Sequence, residues 1–74
     1  MNKIKIACMV YHATRTSTID AINDIIRDFQ GELDTNPQRY NLVITVSVKD
    51  DDQGYQLVKS IDDLDGVIVA EKIS

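Results

Sequence analysis

The apolar residues of this chain switch between two spacings, and the places where they switch fix the order of its elements. Ile4, Ile6, Cys8 and Val10 alternate with Lys5, Ala7, Met9 and Tyr11. A period of two puts one set on each face of an extended strand. Thr14 to Thr18 is polar and rich in hydroxyls, and reads as a loop. The spacing then lengthens. Ile19, Ile22, Ile25, Ile26 and Phe29 recur every three or four residues, while Asp20, Asn23, Asp24, Arg27 and Asp28 fill the other positions. That is one apolar stripe on a helix. Ser17 or Thr18 is placed to cap its start by accepting an orphan N–H, with Asp20 in the first turn. Gly31 is placed as its left-handed stop.

The second half repeats the alternation. Glu32 to Thr35 reads as a short strand, and Asn36 with Pro37 as the turn that follows. Tyr40 to Val48 is the clearest strand: Leu42, Ile44, Val46 and Val48 share one face, and Val43, Thr45, Ser47 and Lys49 the other. Asp50, Asp51 and Asp52 offer a choice of caps for a second helix, whose stripe is Leu57, Val58, Ile61 and Leu64. Gly54 in its first turn costs about 1 kcal/mol relative to alanine. Asp65 and Gly66 form a turn, and Val67 to Ile73 is a last β-branched strand.

The order strand-helix-strand-strand-helix-strand predicts a ferredoxin-like βαββαβ fold, an α+β two-layer sandwich. Its four-stranded antiparallel sheet carries both helices on one face, with the first and third strands at the centre. Those two are also the most apolar. At 74 residues the chain is read as a single domain spanning residues 1–74. A chain this short buries only about 60% of its unfolded surface. Cys8 is the only cysteine, so no disulfide supplements the core. Self-association is the simplest supplement.

The tail LVITVSVKDDDQGYQLVKSIDDLDGVIVAEKIS resembles the second half of ACT-type regulatory domains. There a β-branched strand leads through an acidic turn and a short helix to a leucine-x-glycine-valine step. Leu64, Gly66 and Val67 carry that step here. A similar ending occurs in small signal-peptide-binding chaperones of the nitrate reductase maturation type. The ACT resemblance implies a regulatory domain that binds a small ligand. ACT domains usually place an acidic residue and a glycine between the first strand and first helix, where an amino acid approaches the backbone. This chain has YHATRTSTID there, without glycine, so no ligand residue carries over.

The residues themselves nominate three sites. His12, Thr14, Arg15, Thr16 and Ser17 precede a helix start, which suits an anion or small ligand held by free N–H groups and a guanidinium. Ala7, Met9, Tyr11, Val43, Thr45 and Ser47 form the sheet face opposite the helices, with Ile68 and Ala70 joining from the last strand. Such a face is more apolar than a bare sheet needs, and marks a partner or dimer surface. A free edge strand offers a second route, by strand addition. Asp50, Asp51, Asp52, Asp62, Asp63 and Asp65 form an acidic rim that would steer a basic partner.

Other chemistries are not supported. Cys8 and His12 lie roughly 13 Å apart along one strand, too far for a nucleophile and its base. Asp50 to Asp52 with Gly54 partly match a calcium loop, but Ile61 stands where the ligating glutamate belongs. No metal, cofactor or catalytic residue is assigned, and the chain is expected not to be an enzyme. A net charge of −4 opposes nucleic-acid binding. RNA-binding sheets of this topology stack bases on aromatics, and Tyr11 alone is offered. The run from Ile6 to Tyr11 is far shorter than the roughly 20 residues of a membrane span. A lone thiol fits a reducing, cytoplasmic setting. The expected role is a small acidic adaptor or inhibitor, with a homodimer or other protein as partner. The alternative is a sensor using the loop around Arg15.

Overall fold

A computed structural model describes residues 2–34 and 41–74. The expected turn at Asn36 and Pro37 lies outside them, as do Thr35 and Tyr40. The elements are β1 (Asn2–Val10), a 3-10 turn (His12–Thr14), α1 (Arg15–Ile26), a second 3-10 turn (Arg27–Phe29), β2 (Glu32–Asp34), β3 (Asn41–Val48), α2 (Asp51–Asp62) and β4 (Val67–Lys72). The sheet order is β2-β3-β1-β4, with every neighbouring pair antiparallel. This is the expected ferredoxin-like arrangement, with β1 and β3 central.

Centrality follows from composition. A central strand is covered by the helix layer and paired along both edges, so its inward side chains must be apolar. Ile4, Ile6, Cys8 and Val10 of β1 and Leu42, Ile44, Val46 and Val48 of β3 are all buried. Their pairings, Ile4↔Val46, Ile6↔Ile44 and Cys8↔Leu42, stack the two rows against each other. Ile22 and Ile26 of α1, Leu57 and Ile61 of α2, and Val67 and Ala70 of β4 join them in the core.

Several local expectations are corrected. Thr14 to Thr18 is not a loop: α1 begins at Arg15, a turn ahead of its apolar stripe. Its cap residue is Thr14, whose side chain makes no capping bond, rather than Ser17 or Thr18. No acidic residue lies in the first turn, so Asp20 stands further along. The hydroxyls bond within the segment instead. Ser17 Oγ donates to the Thr14 carbonyl at 3.0 Å, and the buried Thr18 donates to Thr14 Oγ1 at 3.5 Å. At the other end Gln30, not Gly31, is left-handed, with φ 53°. Gly31 is needed for space: a Cβ there would overlap the side chain and carbonyl of Ile26.

Gly54 also has a packing role. It is buried where α2 crosses the sheet, and a Cβ would sit 3.3 Å from Ile4 Cδ1 and 3.6 Å from Val48 Cγ2. The close approach of helix to sheet offsets its low helix propensity. Of the three aspartates offered as caps, Asp50 takes the position, accepting from the Gln53 N–H at 2.8 Å.

Candidate functional site

The outer face of the sheet is assembled by strand register. Ala7 lies opposite Val43 in β3, and Met9 lies between Asn41 of β3 and Val69 of β4. Because Ala7 is small, a hollow of about 170 Å³ opens among Ala7, Met9, Val43, Val69 and Glu71. Met9 is 40% exposed and Tyr11 54%. Val43 and Thr45 are half-buried. The face is therefore an apolar centre with a concave point.

Its membership differs from expectation at two places. Ser47 is only 9% exposed. It pairs with Lys3 of β1, whose longer side chain stands beside it. Ala70 belongs to the core: it pairs with Cys8 and is buried. The cause is a bulge in the pairing, where Met9 meets Val69 but Val10 meets Val67. Ile68 is the extra residue, and remains exposed. The slip moves Val69 onto the outer face, a residue the alternation did not nominate.

The loop nominated for a ligand splits between two elements. His12 and Thr14 lie in the 3-10 turn, while Arg15, Thr16 and Ser17 open α1. Ser17 and Thr14 bond to each other through the hydroxyl and carbonyl described above, which commits part of the polar set locally. The turn before β4 packs on this segment. Tyr11 N–H donates to the Gly66 carbonyl at 2.9 Å, and a Cβ on Gly66 would collide with Thr18 Oγ1. The leucine-x-glycine-valine step and the Arg15 segment thus meet at one end of the molecule.

The acidic rim separates into two groups at opposite ends of α2. Asp50 caps the helix, with Asp51 and Asp52 in its first turn. Asp62 ends it and accepts from the Ala70 N–H at 2.9 Å, occupying an outward-facing donor on edge strand β4. Strand addition there would have to displace this carboxylate. Among the described residues no group of His, Cys, Asp and Glu is arranged to hold a metal ion. Cys8 is buried beneath the helices, and burial, with a smaller contribution from Asp62, pushes its thiol up to about 11. His12 is exposed beyond the strand end.

A second cavity has no counterpart in the sequence pattern. A cleft of about 400 Å³ opens between the first half of α2 and the sheet. Ile4, Val48, Val58 and Ala70 give it an apolar lining, and Asp50, Asp51, Tyr55 and Lys72 also border it. These residues come from four elements, so no single stretch of sequence signals it.

Among solved structures, the chain is similar to the ACT domain from the GTP pyrophosphokinase of Chlorobium tepidum. The TM-score is 0.68 and the identity 17%, over 96% of this chain and 96% of that one. The fold is thus ACT-like along nearly its whole length, including the first half, where the sequence departs from the ACT pattern. No protein-family model and no curated protein matches the sequence. No helix among the described residues is long and apolar enough to cross a membrane.

Proposed function

We propose that this protein is a non-enzymatic regulatory module that works by self-association through the outer face of its sheet. The observation that carries the reading is the concave apolar patch of Ala7, Met9, Val43 and Val69, with the exposed Tyr11 just past the end of β1, on an ACT-like scaffold. Methionine and tyrosine are enriched at interface centres because they combine large contact area with adaptability or a polar tip. The hollow at Ala7 accepts a protruding side chain such as a second copy's Met9. An acidic adaptor or inhibitor role for a larger basic protein uses the same face, with Asp50 to Asp52 and Asp62 to Asp65 steering the encounter.

Sedimentation velocity over a concentration series tests this. The natural chain is expected to shift from monomer to dimer as concentration rises, and Met9→Glu to stay monomeric with an unchanged circular dichroism spectrum. A natural chain that remains monomeric at high concentration removes the reading.

A second reading is favoured by the ACT likeness: a small-ligand sensor using the segment from His12 to Ser17. Arg15 is half-buried at the head of α1, next in sequence to Thr14, which neighbours the Gly66 turn. A thermal-shift screen against amino acids, nucleotides and inorganic phosphate is expected to find a stabilising compound whose effect is lost in Arg15→Ala. A shift that survives the substitution takes Arg15 out of the site.

A further inference from the structure

We propose that the cleft between α2 and the sheet binds a small amphipathic cation, an ammonium group carried on an apolar or aromatic body. The site lies on the helix side of the sheet and does not depend on the outer face. At about 400 Å³ the cleft is in the size range of small-molecule pockets. Gly54, where α2 comes closest to the sheet, lies on its wall, and Val58 and Ala70 line it further along.

The sign of the ligand's charge follows from the head of α2. A helix start ordinarily attracts anions through its unpaired N–H groups and partial positive charge. Here the carboxylates at the helix start oppose that attraction. Asp50 accepts the Gln53 N–H at 2.8 Å, and its carbonyl takes the Gly54 N–H at 3.1 Å. Gln53 Oε1 turns back to accept the Lys49 N–H at 2.8 Å. Asp51 and Asp52 place two further carboxylates in the first turn. An anion entering the cleft would meet these carboxylates, with the Gln53 N–H already engaged by Asp50.

A cation meets the opposite arrangement. Asp51 stands on the border as a charge partner, with no ion pair to it among the described residues. Tyr55 is 64% exposed on the next turn, where its ring can cover an ammonium or stack on an aromatic body. Lys72 is the opposing charge. It pairs with Ile6, whose side chain points to the helix layer, so the lysine stem extends over the same layer. One lysine against Asp50, Asp51 and Glu71 leaves the border net negative, and the whole chain at −4 adds to the local cation concentration.

Amide NMR titration of the full chain with phenethylamine, and with its isosteres phenethyl alcohol and 3-phenylpropionate, tests this. Phenethylamine is expected to move the signals of Gly54, Tyr55, Val58, Ala70 and Lys72 and to saturate. The neutral isostere should bind more weakly and the anion weakest. Asp51→Asn should weaken the amine by about two- to five-fold, the range of one exposed ion pair. Equal or tighter binding of 3-phenylpropionate overturns the proposal, as does movement confined to residues outside the cleft or no saturation. Phenylalanine is the further comparison: tighter binding of that zwitterion than of the amine would assign the recognition to Lys72 and overturn the cation reading. The isostere series on the natural chain decides the matter even if Asp51→Asn disturbs the helix.

Discussion

Gly66 holds φ at 92°, a conformation that side chains rarely adopt, and its missing Cβ leaves room for the Thr18 hydroxyl. One residue therefore sets both the turn into β4 and the seat of the α1 start. The Asp-Gly pair is visible in the sequence; that Thr18 fills the space beside it is not, because the two are far apart along the chain. Cys8 shows the converse, a residue whose environment fixes its chemistry. Its thiol is pushed from an ordinary 9.0 up to about 11, chiefly by burial. The unfolded chain releases the proton first, near 9, while the folded chain keeps it to about 11. Between those values the folded state binds more protons, so stability falls as pH rises, and the contribution is intact below the window. Urea unfolding across pH 8 to 11 is expected to show a shallower decline in Cys8→Ala than in the natural chain. Parallel curves would mean that the thiol ionises as readily folded as unfolded.

Among the elements, α2 depends most on its ends. Asp50 and Gln53 each satisfy a backbone N–H at the start, a reciprocal cap displaced by one residue from the usual box. Asp50→Ala is expected to cost about 0.5–2 kcal/mol by chemical denaturation. No loss would show that Asp51 takes over the cap with the helix restarted one residue later. The element order and both core faces of the central strands were legible from period alone, because a residue's face follows from its parity in a strand. β4 defeats that logic. Val67, Ile68, Val69 and Ala70 are all apolar, so parity carries no signal, and the bulge opposite Met9 and Val10 reverses it midway. The start of α1 was hidden for a different reason. Hydroxyl residues favour caps and turns, yet here they bond to one another three and four residues apart, a spacing the helix itself supplies. Parity also left Ser47 on the outer face, where it is buried, while Met9 stays exposed. The α2 cleft, a gap between distant elements, left no periodic trace.

At the scale of the whole molecule, the question is what completes a core this small. Both helices lie on one face, and the other face of the sheet keeps Met9 and Val69 in water. Covering that face removes apolar surface from solvent at about 25 cal/mol per Å². Association that occurs only between folded chains must then appear in the folding equilibrium itself. For a chain that dimerises when folded and separates when unfolded, each tenfold rise in concentration adds about 1.4 kcal/mol per dimer to the apparent stability. The urea midpoint of the natural chain is accordingly expected to rise with concentration and then to track it steadily. Met9→Glu should abolish that dependence while keeping the midpoint that the natural chain has at high dilution, because a glutamate at this exposed position disturbs no core contact. Tyr55→Ser, an equally exposed aromatic on the helix layer, should leave the dependence intact. The comparison separates the two layers of the sandwich: loss of the dependence in Tyr55→Ser but not in Met9→Glu would place the contact on the helices, and the outer face of the sheet would need another explanation.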